Sequence, residues 1–290
     1  MQIVYHLGAH FTDEGRLVKS LMANQDLLKS EGVAVPDPKA YRYPLRDLVI
    51  SLNGQSASPS EQSEFLNAVL DDPSAERLVL SWDSFLALPP WVLKSTIYPA
   101  AAERVHAFAQ IFPDDEIEFF LALRNPATLL PLLYQRNKPD SYDAFLGGCD
   151  PYDLRWSEVI ARILDKNPHV QLTVWCDEDT PLIWPEVLRS VAGLPADQPL
   201  AGEHDLLSHL LSPEGIKQLQ GQLKTNRPSS IAQRREIVAG LLQEFALPDR
   251  MTMSFSMPHW DQDMIDDLTE IYEEDVANII QSGAVTFIHP

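Results

Sequence analysis

Residues 2–32 read QIVYHLGAHFTDEGRLVKSLMANQDLLKSEG, and this stretch sets the fold class. Ile3–Leu7 is a short apolar run of the kind that forms a strand buried on both faces. Leu17, Val18, Leu21, Leu27 and Leu28 then recur at steps of three and four, the spacing of one helix face. The helical pattern ends at Glu31-Gly32, where Gly32 supplies a left-handed cap. Strand, tight loop and helix therefore follow one another, with the loop spanning His6 to Gly15. MQIVYHLGAH carries no cationic leader and is expected to be the strand that starts the fold.

The same alternation continues along the chain. Val33–Val35 is extended before Pro36, and Asp37–Ser60 is expected to be loop, with a turn at Asn53-Gly54. Ser58-Pro59-Ser60 starts a helix marked by Phe65, Leu66, Val69 and Leu70. Arg77–Ser81 reads as a second buried strand, and a helix is expected around Ala100–Phe112. Glu116–Leu123 is a third strand and Val170–Trp175 a fourth, with helices at Ser157–Leu164 and Pro185–Val191. Strands alternating with helices predict an α/β fold, a parallel sheet flanked by helices. Beyond Pro199 no strand is expected; Leu206–Leu211, Pro213–Leu223, Ile231–Phe245 and Met264–Ile280 read as helices. The expected division is an α/β core over residues 1–198 and a helical C-terminal part over 199–290 that completes or caps it. Leu223–Ser230 (LKTNRPSS) is the most polar connector.

Composition limits what the chain does. At 290 residues and 45% hydrophobic content it buries a sizeable core, which excludes disorder. Asp and Glu number 42 against 22 Lys and Arg, a net charge of −20. Such a chain is a poor general binder of nucleic acid or anionic membrane. The partner is expected to be a small molecule or a protein. Two cysteines, Cys149 and Cys176, make no disulfide framework and suit a reducing, cytoplasmic setting. No apolar run reaches the ~18 residues a membrane span needs.

Ligands of open parallel sheets bind beyond the carboxyl ends of the strands. Two such ends stand out: the His6–Gly15 loop, and Leu123-Arg124-Asn125-Pro126 with Tyr134 following. A loop between a first strand and a first helix cradles phosphate through backbone N–H groups and the helix dipole. Together these residues resemble the sulfotransferase family, many bacterial members of which open with a loop like HIGAHKTGTTSLQ. In the present chain YHLGAHFTDEGRLVKSLMANQDLLKSEGVAVP occupies that place, with Asn24, Leu27, Leu28, Gly32, Val33 and Pro36 in the family's order. Ser81-Trp82-Asp83 is similar to the family's SSE strand end. Arg124 and Pro126 match its R-x-P motif for the nucleotide 3′-phosphate, and Tyr134 its following aromatic. Leu268, Tyr272 and Asp275-Val276 fit its final helix. The resemblance implies a P-loop-like, three-layer fold and, as cofactor, 3′-phosphoadenosine 5′-phosphosulfate held by Gly8, Thr12, Gly15, Arg16, Arg124 and Tyr134. His10 or Asp83 would serve as catalytic base towards an acceptor hydroxyl.

The departures from that pattern concern the donor. Phe11 stands where the family has the phosphate-loop lysine, Asp13 and Glu14 replace glycine and threonine, and Leu132 replaces the serine after Arg124. Repulsion between like charges at ~4 Å is about 4 kcal/mol per pair at an effective dielectric of ~20. Each hydrogen bond to the charged phosphate returns roughly 1.5–3 kcal/mol. The expectation is a sulfotransferase-like protein with lost or altered donor binding. The alternatives are an active sulfuryl transferase using Arg124 and Arg16 in an atypical donor site, and an acidic assembly protein that meets a basic partner.

Other residues have plainer readings. His6 and His10 are either ligand contacts or rings bonded to backbone; Asp83 is either a base or a turn carboxylate. Arg124 binds an anion or pairs with one of the many carboxylates. Asp71-Asp72, Asp114-Asp115-Glu116, Asp177-Glu178-Asp179 and Glu273-Glu274-Asp275 lack a calcium-loop frame and read as solvated charge. His204 and His209 are five apart, not the four of a zinc helix. Cys149 and Cys176 read as buried structural thiols. Trp82 reads as core packing beside the site. Neither G-x-S-x-G nor GxxxxGK[ST] occurs, so serine-hydrolase and NTP-hydrolysis motifs are missing.

Overall fold

In the computed structural model, residues 1–225, 228 and 230–290 are described. Asn226, Arg227 and Ser229, within the connector expected at Leu223–Ser230, lie outside the described residues. β1 (Gln2–His6) leads through the His6–Gly15 loop to α1 (Arg16–Met22), α2 (Gln25–Ser30) and β2 (Val33–Ala34). α3 (Pro38–Leu52) and α4 (Pro59–Val69) precede β3 (Arg77–Ser81), and α5 (Ala101–Ala109) precedes β4 (Glu116–Leu123). α6 (Pro126–Asn137), α7 (Tyr142–Leu146) and α8 (Trp156–Lys166) lead to β5 (Gln171–Cys176). α9 (Thr180–Ala192), α10 (Asp205–Leu210), α11 (Pro213–Thr225), α12 (Ile231–Phe245), α13 (Pro248–Met251) and α14 (Gln262–Ser282) run to β6 (Thr286–Phe287).

The six strands form one sheet in the order β2-β3-β1-β4-β5-β6, every pairing parallel. β1 sits between β3 and β4, so the chain reverses its progress across the sheet at β1 and opens a crevice at its carboxyl end. Alternate residues feed two cores. Val4, Val79, Phe120 and Trp175 pack under α1 and α9 with Leu17, Leu21 and Val187. Ile3, Tyr5, Leu80, Phe119 and Leu121 face the other layer, where α3 to α6, α8 and α14 lie. Burying each such side chain contributes about 1.5–3 kcal/mol. This is the three-layer α/β arrangement that the alternation predicts. Among the described residues no helix is long and apolar enough to cross a membrane.

Three expectations need correction. Asp37–Ser60 is not loop: α3 fills most of it, capped by Asp37, whose carboxylate accepts from the Lys39 N–H. Tyr41, Leu45, Leu48 and Leu52 make its apolar face, and Pro44 is tolerated because Tyr41 and Leu45 are fully buried. The first helix is two, α1 and α2, broken at Asn24, whose amide donates to the Ser20 carbonyl and accepts from the Ala201 N–H. The C-terminal part does contain a strand, since β6 pairs with β5. α10, α11 and α12 share a small core of their own around Leu207, Leu219 and Val238.

α14 is tied into the main core by charge. Asp275, 3% exposed, accepts from the Trp156 and Ser157 N–H groups at 2.6 and 3.1 Å and from the Ser157 hydroxyl. The carboxylate thereby caps α8 from a distant helix, a role that solvated charge at Glu273-Glu274-Asp275 does not foresee. Asp275→Ala leaves buried donors unpaired, and we expect it to lower unfolding stability by about 3 kcal/mol in one cooperative transition. Denaturant melts followed by circular dichroism measure this; an unchanged midpoint contradicts it.

Candidate functional site

The loop after β1 is held by continued sheet pairing. The Leu7 N–H donates to Phe120 O, the Ala122 N–H to Gly8 O and the Ala9 N–H to Ala122 O, at 2.6–3.1 Å. Gly8 has φ +96°, and a Cβ there would lie 3.1 Å from Asp83 Cα, so only glycine fits against the β3 end. The chain then turns through positive φ at Phe11, Glu14 and Gly15. Thr12 closes the turn by donating its hydroxyl to Ala9 O at 2.9 Å. These turns bring Asp13 under the start of α1.

Asp13 is 9% exposed, and its Oδ2 accepts from the Leu17 N–H at 3.0 Å. The protein's own carboxylate therefore sits at the helix end where the resemblance predicts a phosphate. Arg16 does not compensate: its guanidinium pairs with Glu14 at 3.0 Å on the surface. Gly15 is the residue before α1, at φ +80°.

Arg124, at the carboxyl end of β4, is engaged on three sides. Nη1 donates to Phe11 O and to Asp177 Oδ2, the latter at 3.0 Å, and Nε donates to Thr128 Oγ1 at 3.1 Å. The Trp156 indole N–H fixes the Arg124 carbonyl at 2.9 Å. Asp177 follows β5 and is largely buried, so the solvated-charge reading of Asp177-Glu178-Asp179 is corrected here. Burial pushes its carboxyl up to about 7; the Arg124 guanidinium pulls it down, while Glu178 and Asp13 add to the rise. Removal from water outweighs the ion pair.

The histidines face inward. His10 is 2% exposed; its backbone N–H donates to the Tyr98 hydroxyl, and its Nδ1 lies 2.7 Å from the same hydroxyl. His6 is buried, with Nδ1 2.8 Å from Ser81 Oγ and its ring stacked on Trp175. Burial lowers both ring pKa values, against the opposing pull of Asp83 on each and of Asp13 on His6. His10 thus anchors the loop and is not placed to take a proton from a substrate in either cleft. Asp83 is exposed and accepts from the Ser84 hydroxyl at 3.0 Å. Tyr134 packs among Tyr142 and Phe145, away from the loop.

Two clefts flank the loop. One, about 730 Å³, lies on the β3 side and is lined by Asp13, Lys19, Arg42, Ser81, Trp82 and Asp83. There Trp82 is half-buried under the Arg42 guanidinium, which is 5.5 Å from the ring centre. The other, about 480 Å³, lies beyond β4 and β5, with Arg124, Asp177, Thr180 and Trp184 in its wall. So the structure gathers Gly8, Thr12, Gly15, Arg16 and Arg124 around one loop, with Asp83 on its β3 side. It leaves Tyr134 out and turns His10 away. Thr180 escapes the sequence reading and Asp177 enters it only as solvated charge, although their place directly after a strand's carboxyl end was a usable signal. Cys149 and Cys176 are free, buried thiols, and burial pushes the Cys176 thiol up to about 12. Among the described residues no cluster of ligating side chains suits a metal ion.

In comparisons with known proteins, the chain matches no family model and no curated protein.

The buried histidines carry a pH consequence. Their folded-state pKa values lie below the unfolded value of about 6.5, so their stabilising share is complete above that pH. It is lost as pH falls from ~6.5 through the lowered folded values. His10→Gln, which keeps a partner for Tyr98, is expected to lose less stability between pH ~7.5 and ~5 than the parent chain. Denaturant melts at both pH values check this, and equal losses in the two proteins contradict it.

Proposed function

We propose that this chain is a sulfotransferase-like protein that does not hold 3′-phosphoadenosine 5′-phosphosulfate in the family's manner and acts by binding rather than by sulfuryl transfer. The Asp13 carboxylate on the Leu17 N–H carries this reading. A phosphate entering the cradle has to displace that carboxylate and meet its charge. Losing a hydrogen bond to a charged group costs about 1.5–3 kcal/mol, which is roughly ten- to a hundredfold in affinity. The cation that would offset this is absent, because Phe11 replaces the lysine. Arg16 is engaged by Glu14, and Arg124 is left with Nη2 alone after pairing with Asp177, too little to hold a polyanionic donor, which weighs against an active transferase with an atypical donor site.

The experiment is calorimetric titration with 3′-phosphoadenosine 5′-phosphate, the desulfonated donor product. No saturable heat is expected for the parent chain up to millimolar ligand. Phe11→Lys combined with Asp13→Gly and Glu14→Thr is expected to raise affinity at least about tenfold. Micromolar binding by the parent chain, weakened by Arg124→Ala, contradicts the proposal and restores the transferase reading.

A further inference from the structure

The cleft beyond β4 and β5 is lined by both charged and apolar side chains. Arg124 uses Nε and Nη1 on Thr128, Phe11 and Asp177, while its Nη2 makes no hydrogen bond among the described residues. Thr180, in the same lining and 8% exposed, keeps a buried hydroxyl with no partner. A buried hydroxyl without a partner is an unfavourable arrangement that a hydrogen-bonding oxygen would relieve. Apolar side chains share the lining: Trp184, Leu206, Leu210, Met251 and Met253. The volume of about 480 Å³ is in the range of small-molecule sites.

We propose that this cleft binds a small amphipathic monocarboxylate, with its carboxylate between Arg124 and Thr180 and its hydrocarbon chain along Trp184 and the methionines. A carboxylate oxygen suits the free Nη2 of the guanidinium as a charge-assisted acceptor, and Met side chains adapt to chains of differing shape. A single charge suits the site. Arg16 and Arg250 join Arg124 on the cleft, but Asp13, Glu14, Asp177 and Glu178 line it too. A phosphate dianion meets more repulsion from these carboxylates than a monoanion does. The inference rests on this cleft alone and is independent of whether the chain is sulfotransferase-like.

Asp177 makes the binding depend on pH. The groups facing it are Arg124 from the end of β4, Asp13 and Arg16 from the loop and α1, and its neighbour Glu178. Its carboxyl is pushed up to about 7 chiefly by burial, so it takes up a proton more readily than an ordinary carboxylate as pH falls. When neutral it releases Arg124 and can donate its O–H in a hydrogen bond to the ligand carboxylate; when charged it competes for the guanidinium. Affinity therefore rises as pH falls, while a fatty carboxylate itself stays ionised.

The test is calorimetric titration of the full chain with sodium octanoate, alongside octylammonium, at pH ~6 and ~8. One saturable site per chain is expected, about tenfold tighter at the lower pH, with octylammonium much weaker. Asp177→Asn is expected to bind at both pH values as the parent does at the lower one. Arg124→Ala, checked for folding by circular dichroism, is expected to lose the site. Octanoate binding that ignores Arg124, octylammonium binding as tight, or no octanoate binding at millimolar concentration overturns the proposal. If Arg124→Ala does not fold, the comparison of the two ligands on the parent chain decides.

Discussion

The structure depends on the central position of β1, paired on both edges and covered on both faces. That pairing does not stop where the strand ends. Gly8 and Ala9 still exchange hydrogen bonds with Ala122 of β4, so the chain cannot leave the sheet until His10. All of the turn is then compressed into the few residues before α1. Positive φ at Phe11, Glu14 and Gly15 is the backbone consequence, and the Asp13 carboxylate beneath the first turn of α1 is the electrostatic one.

The same crowding explains Arg124. Its guanidinium reaches across from β4 to the Phe11 carbonyl, bracing the turn from behind, and takes Asp177 as counter-charge. Buried ion pairs of this kind add little net stability against an apolar alternative, but removing one partner strands the other charge. The pair is therefore better understood as fixing the loop than as a store of folding energy. The loop is thus braced by its own arginine and capped by its own aspartate. What stays open is the space to either side, where charge meets apolar surface.

Much of the fold was legible because strands buried on both faces must be apolar runs. Arg77–Ser81 and Glu116–Leu123 stand out for that reason and lie where they were expected. α3 was hidden by Pro44 in its interior and by the Asn53-Gly54 turn signal, although Asp37-Pro38 is itself a helix start; burial of Tyr41 and Leu45 holds the helix together around Pro44. The break between α1 and α2 was invisible, since it is set by Asn24 bonding to Ala201, 177 residues away. β6 is two residues long and exists only because the edge of β5 receives it. In the site, the loop could be found from its place after β1, but its state could not. That Asp177 is buried against Arg124, and Asp275 under α8, depends on contacts that runs of acidic residues do not announce.

The central claim is that the start of α1 is already occupied by Asp13. The most direct measurement is the amide NMR signal of Leu17 during titration with 3′-phosphoadenosine 5′-phosphate, in the parent chain and in Asp13→Gly. The account predicts a Leu17 signal that stays fixed in the parent chain and shifts on titration only once Asp13 is removed. A ligand-dependent shift of Leu17 in the parent chain would show the nucleotide displacing the carboxylate, and would contradict the account.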